Sequence, residues 1–271
     1  MTRSQPSGII TLTTDFGLRQ PFVGVMKGRI LDRFPAAQVI DLTHDILAHW
    51  PAEAGFWLVR SFEYFRRGTV HVAVVDPGVG TSRDIILVQA HGHLFLAPDN
   101  GLLAPVAETD PGARIHRLDL ARSREFGIER TSATFHGRDI FAPLAALLAG
   151  GQIAPDDFGP RIESLTPAWV DPPTVTPGSV AGVVITVDHF GNLITNIESR
   201  TLAGWIDPLV YAGALTLPLR RTYGDVRPGE PLALVNSFGV VEIAVAERRA
   251  EEQLGLSRGA PVIVRDVIPH G

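Results

Sequence analysis

The apolar pattern changes character once along the chain, and that change calls for two differently built domains. Up to about residue 165, short β-like runs alternate with segments of helical periodicity. Ile9–Thr13 reads as a buried strand, and Phe22, Val23, Met26, Ile30 and Phe34 then recur at helical spacing. Val39–Leu42 is a second strand, and Pro51 suits the first turn of a helix carrying Phe56, Leu58, Val59 and Phe62. Thr69–Val75 follows as a third. Ile85–Gln89 and Leu94–Ala97 pair as a hairpin across His91-Gly92-His93, which is expected to be an exposed turn. Phe141–Leu148 is a buried helix closed by Gly150-Gly151. This alternation predicts an α/β N-terminal domain with a mainly parallel central sheet, covered on both faces.

Residues 168–179 form a proline-rich linker, where Pro172, Pro173 and Pro177 follow closely on Pro167. Beyond it the strand patterns are short and closely spaced: Val180–Val187, Leu193–Ile197, Leu209–Tyr211, Leu215–Leu217, Leu232–Asn236, Val240–Val245 and Pro261–Val267. A single short helix interrupts them around Ala250–Leu254. That spacing suggests a small barrel or sandwich. The expected division is therefore 1–167 and a smaller all-β, barrel-like C-terminal domain over 180–271.

Composition narrows the chemistry. The net charge of −5 leaves no basic footprint for nucleic acid or an anionic membrane. There is no cysteine, so thiolate catalysis and Cys-based metal sites are excluded. Lys27 is the only lysine and lies within a helical pattern, which disfavours Schiff-base chemistry. The polar N-terminus lacks the apolar core of a signal peptide, and no apolar stretch reaches membrane-spanning length. A cytoplasmic protein is expected.

Five polar islands end the apolar runs: TTDFG (13–17), VDPGVGTSR (75–83), APDNGLL (97–103), TFHGRDIF (134–141) and VDHFGNLITNI (187–197). The C-terminal edge of an open α/β sheet is where ligands bind, so these loops are candidates for one small-molecule site. Asp76 and Arg83 flank a turn and can face each other, either as part of a site or as an ion pair closing the loop. Gly80 lets the backbone there pass close to a ligand. His136 stands at a helix mouth, whose dipole depresses the pKa of a nearby imidazole, while Arg138 and Asp139 suit a charge pair. Asp15 is placed either to accept ribose hydroxyls or to cap the next helix. Asp99 and Asn100 fit a turn. Asp188, Phe190 and Asn192 combine a carboxylate, a ring and an amide, although a hairpin turn at Gly191 explains them as well. His44, His91 and His93 lack a metal-ligand spacing, and no metal is expected.

In this order the islands resemble the S-adenosylmethionine hydroxide adenosyltransferases, relatives of enzymes that fluorinate or chlorinate the same substrate. The resemblance runs through TLTTDFG, VGVMKG, DLTHDI, VDPGVG, PDNGLL, TFHGRDIF, FGNLITNI, NSFG and RAEEQLGL, nearly the whole chain. It implies an α/β domain followed by a β-barrel, and hydrolysis of S-adenosylmethionine to adenosine and methionine. S-adenosylmethionine is then the substrate, with no cofactor. It further implies a homotrimer with each site between one subunit's N-terminal domain and a neighbour's C-terminal domain. Asp76, Arg83 and His136 match the set that holds the attacking water, and Asp15 matches the ribose-binding carboxylate. Trp50 falls where an aromatic residue covers the nucleoside. Asp188 and Ser237 match methionine-binding positions, Phe190 and Asn192 adenine-site positions, and Ala250 a backbone contact to the adenine edge. His136-Gly137 stands where halogenating members have Tyr-Ser, which disfavours the halogenase alternative. The water-holding set disfavours a non-catalytic nucleoside sensor. Gln20 stands where the family usually has Asp, which weakens one expected contact to the methionine ammonium.

Overall fold

The computed structural model describes residues 5–267, which divide into two compact units, one up to Val170 and one from Asp171. In the first unit the elements run β1 (Ile9–Thr14), α1 (Phe22–Arg33), β2 (Gln38–Thr43), α2 (Pro51–Ser61), β3 (Val70–Val74), β4 (Ile85–Ala90) and β5 (His93–Pro98). They continue with α3 (Ala104–Glu108), β6 (Arg114–Arg117), α4 (Ala142–Ala149), α5 (Pro155–Phe158) and β7 (Arg161–Ile162). The seven strands form one sheet in the order β2-β1-β3-β5-β4-β6-β7. Strands β2, β1, β3 and β5 are parallel, as the alternating pattern predicts. The hairpin β4–β5 then reverses direction, and β6 and β7 continue antiparallel.

Side-chain alternation gives this sheet two cores. Ile10, Leu12, Val72, Val74 and Leu96 meet Met26, Ile30 and the all-apolar α4 on one face. Ala73, Ile86, Val88, Phe95 and Ala97 meet Leu58 of α2 and Val106 of α3 on the other. With both faces covered, the strand ends are left to present polar groups.

One expectation fails at the β4–β5 turn. His91 (φ 53°) and Gly92 (φ 83°) make the two-residue loop, both in the left-handed region, a geometry that matches the twist of a hairpin. His93, however, belongs to β5 and is buried. Its Nδ1 lies 3.2 Å from His71 Nε2, and His71 Nδ1 lies 2.8 Å from the Thr11 hydroxyl. Burial holds both imidazoles neutral, His71 at about 3 and His93 at about 4. The three side chains form a polar seam across β1, β3 and β5, not a surface turn.

The second unit comprises β8 (Thr174–Thr176), β9 (Ser179–Val187), β10 (Leu193–Glu198), β11 (Leu209–Ala212) and β12 (Leu215–Arg220). Then come β13 (Pro231–Val235), β14 (Val240–Val245), α6 (Ala250–Leu254) and β15 (Pro261–Arg265). The order β10-β14-β13-β12-β11-β15-β9 closes through a further β9–β10 pairing, so these strands make a barrel rather than a sandwich. Closure removes sheet edges that would otherwise invite pairing with other chains. Strand β8, within the proline-rich stretch, pairs with β9 outside the ring. Val184, Leu193, Val210, Val241, Ile243 and Val264 fill the barrel interior. Among the described residues no helix is long and apolar enough to cross a membrane.

Candidate active site

Strands β1 and β3 are neighbours and parallel, so Asp15 and Asp76, just past their ends, emerge at the same edge of the sheet. Arg83 returns from the far side of the 76–83 loop. Its Nε donates to both Asp76 oxygens at 3.0 Å, and its Nη2 donates to Asp76 Oδ2. The same Nη2 lies 2.8 Å from His136 Nδ1. The side chains of Asp76 and Arg83 are only 5% and 10% exposed, so this ion pair is largely desolvated. A guanidinium has only donors, so His136 Nδ1 must accept and its proton must sit on Nε2. Burial, reinforced by the Arg83 cation, pushes the His136 pKa below its ordinary 6.5. The helix dipole expected to do this is not needed to explain the shift.

His136 precedes a π-type turn, Gly137–Phe141, that leads into α4. Such turns locally widen the hydrogen-bond ladder and occur often at functional sites. Arg138 and Asp139 pair with each other, as expected. Gly80 has a different role from the one read in the sequence. At φ 78° it packs so closely on Ala133 that a Cβ would run into that residue's carbonyl oxygen. Its close approach is to the segment carrying His136, which brings the Asp76–Arg83 loop and the histidine together.

These residues border a cleft of about 580 Å³ lined by Asp15, Asp76 and His136 and by an aromatic wall. Phe16, Phe22 and Phe135 form that wall, with ring centroids 5.3 to 6.1 Å apart in edge-to-face contact. A larger groove of about 750 Å³ lies at the opposite strand edge, near Gly8 and Gly92, away from the acid, cation and imidazole. Asp15 does not cap α1, whose first turn follows Pro21; its Oδ2 accepts from the His49 backbone N–H at 3.0 Å. A chain from Asp41 Oδ1 to His44 Nε2 (2.9 Å) and from His44 Nδ1 to Thr14 Oγ1 (2.8 Å) pins the neighbouring segments together.

The Trp50 ring stands edge-to-face on Trp169 at 5.5 Å, and the neighbouring His49 lines the cleft. His49 reaches that wall with a left-handed backbone, φ 63°. The sequence signal for it was weak, a histidine next to a conspicuous tryptophan. Phe22, the first residue of α1, is 42% exposed and faces the cleft.

In the second unit, Asp188 to Asn192 make the β9–β10 turn. Asp188 Oδ1 accepts from the Asn192 backbone at 2.8 Å, and its Oδ2 from the Asn192 amide at 3.1 Å. Phe190 projects at 71% exposure, while Asn192 is buried. Gly191, at φ 87°, lies against Arg249, and its carbonyl accepts from Glu251 N–H; this seats the turn on the start of α6, where Ala250 is buried. Ser237 lies exposed in the β13–β14 turn. The sequence reading missed Glu242, which ties that turn to the rest of the rim; a carboxylate inside the apolar run VVEIAV was its only signal.

The S-adenosylmethionine (SAM) hydroxide adenosyltransferase N-terminal domain matches residues 10–159, and the C-terminal domain of the same family matches 182–263. The chain belongs to the SAM hydroxide adenosyltransferase family. A Thermus thermophilus member named (R)-S-adenosyl-L-methionine hydrolase is 38% identical over 92% of this chain and 96% of its own length. A Salinispora tropica member of the same name is also 38% identical, over 94% and 96%. The crystal structure of an uncharacterized conserved protein from Thermotoga maritima superposes with a TM-score of 0.85 at 36% identity, covering 94% of this chain and 99% of that one. The family's division into two domains parallels the two units seen here.

His136 gives this hydroxide adenosyltransferase a readable pH dependence. Only the neutral imidazole can accept from Arg83, so protonation breaks the Arg83–His136 bond. Because burial and Arg83 lower its pKa, the acid limb of kcat/KM is expected at lower pH than an ordinary imidazole would give. In a His136→Gln variant, which cannot titrate, that acid limb should be lost. A limb left unchanged in this variant would assign it to another group.

Proposed function

We propose that this protein hydrolyses S-adenosyl-L-methionine to adenosine and L-methionine. The observation that carries the reading is the joined Asp76–Arg83–His136 set, desolvated at the edge of an aromatic-walled cleft with Asp15 nearby. The sulfonium is already an activated leaving group. Water attacks C5′ as the C5′–S bond breaks, that bond's electron pair leaves on sulfur as the neutral thioether of methionine, and the proton lost by the attacking oxygen is released to solvent. Catalysis then consists of holding water ~3 Å behind C5′, in line with that bond, away from bulk solvent. Asp76 accepts a hydrogen bond from the water and His136 Nε2–H donates one to its oxygen, while Arg83 fixes both groups. No cofactor enters this scheme.

Asp15 binds the ribose hydroxyls in this reading. Asp188 and Ser237 take the amino-acid end; Phe190, Asn192 and the Ala250 backbone take the adenine. Trp50 covers the nucleoside, and His49, which lines the cleft, lies next to it in sequence. We assign the protein a homotrimeric assembly in which each site joins one subunit's first unit to a neighbour's second unit. The exposed apolar side chains Leu18, Phe22 and Val25 on one unit and Phe190 and Phe238 on the other support this, since association would bury them.

The names of the relatives specify the R configuration at sulfur, so the test uses each sulfonium epimer separately in ¹⁸O-water containing chloride. Adenosine carrying one ¹⁸O at C5′ is expected as the sole nucleoside product. A chlorinated nucleoside would replace this reading with halogenation. No turnover of either epimer by the folded protein would leave a binding protein.

A further inference from the structure

Glu242 is a carboxylate at the middle of β14, flanked by Val241 and Ile243, whose side chains fill the barrel core. Period-two alternation therefore turns Glu242 to the outer face of the barrel. Its neighbours in register are Ile194 on β10 and Leu234 on β13, so it lies on the face that also carries Asn192. It is nonetheless only 2% exposed. Two neutral donors hold it: Tyr223 O–H donates to Oε1 at 2.7 Å, and the Asn236 amide donates to Oε2 at 3.1 Å. With its amide so oriented, Asn236 Oδ1 accepts from Phe238 N–H at 3.0 Å and from Val240 N–H at 3.4 Å. Those two bonds shape the turn that displays Ser237.

We propose that Glu242 is a positioning residue for the substrate's amino-acid end, setting the Ser237 turn through Asn236 and anchoring the Tyr223 segment beside it. This inference rests on the functional reading above. A buried carboxylate held by two neutral donors is costly to disturb, because each lost bond leaves a desolvated charge underpaired. Burial raises the Glu242 pKa against the lowering effect of Tyr223 and Asn236, and the charge of Asp188 adds to the rise. The Asp188 turn thus lies within electrostatic reach of the same hub. Glu242 itself touches no substrate atom in this scheme; it acts through the backbone and side chains that do.

The test exploits hydrogen-bond capacity. Glu242→Leu keeps the bulk but removes both acceptors, so the Asn236 amide and the Tyr223 hydroxyl lose their partner. Glu242→Gln is the conservative control, because its amide oxygen accepts from Asn236 while its NH2 donates to the Tyr223 hydroxyl. Two readouts follow: kinetics with S-adenosyl-L-methionine, and backbone amide exchange across residues 236–240. Glu242→Leu should show KM raised about 10-fold with kcat within about threefold, and faster exchange in the turn. Glu242→Gln should keep both near the parent. An unchanged KM in Glu242→Leu of an active parent overturns the proposal, as does a Glu242→Gln variant that loses both readouts. If the parent does not turn over the substrate, the functional reading falls. Exchange then decides alone: unchanged exchange in Glu242→Leu refutes the hub, and faster exchange that Glu242→Gln does not share upholds it.

Discussion

Replacing Asp76 with alanine is expected to lower kcat by ~10²-fold or more, the usual cost of losing a positioned acid–base group, with little change in KM. The carboxylate uses both oxygens to hold Arg83, and Arg83 in turn holds His136. Removing it therefore frees the guanidinium as well as the acceptor for water. Because the pair is largely desolvated, the alanine variant also leaves Arg83 underpaired, a loss of about 3–5 kcal/mol in buried cases. Asp76→Asn separates the two effects, since an amide oxygen still accepts from Arg83 while the negative charge is gone. A folded Asp76→Asn protein with near-normal turnover would reduce Asp76–Arg83 to an ion pair that closes its loop.

Mixing two inactive variants should restore activity. Asp76→Ala disables the first unit's share of the site, and Asn192→Ala disables the second unit's share. In a closed trimer assembled at random from equal amounts, about a quarter of the sites would combine an intact first unit with an intact neighbouring second unit. Activity near that fraction of the parent is expected after joint unfolding and refolding, well above that of either variant alone. Absence of complementation, together with a fully active monomer in light scattering, would mean that each chain builds its own complete site.

Much of the fold could be read in the order of residues because the relevant signals are local. The helical spacing of Met26 and Ile30, the run of apolar residues after Phe141, and Gly92 in a two-residue turn each reflect backbone preferences within a few positions. The change from alternating elements to short strands likewise marked two units, and the structure divides at Val170. Where a reading failed, a long-range contact was responsible. His93 looked like part of an exposed loop because nothing nearby in sequence reveals His71 and Thr11 beside it. His49 drew no attention because only the fold shows that it lines the cleft.

By itself, the sequence determined which chemistry was available. It supplies carboxylates, arginine and histidine at strand ends, without cysteine and with a single lysine, in the motif order of one family. Tertiary structure alone decided which of these groups come together. Asp76 and His136 lie 60 positions apart, and they share Arg83 only because the Gly80 backbone packs onto Ala133. Whether Asp76–Arg83 merely closes a loop is undecidable locally, since a seven-residue separation allows an ion pair either way; the tertiary structure adds His136 as a third partner of Arg83, and the Asp76→Asn variant tests what the set does. The same holds for Glu242. A charged residue in an apolar strand reads as a solvent-facing position, and only Tyr223 and Asn236, brought in from two other segments, make it a buried hub. Hydrogen-bond partners are set by the packing of distant backbones, and the period of a single segment carries no record of them.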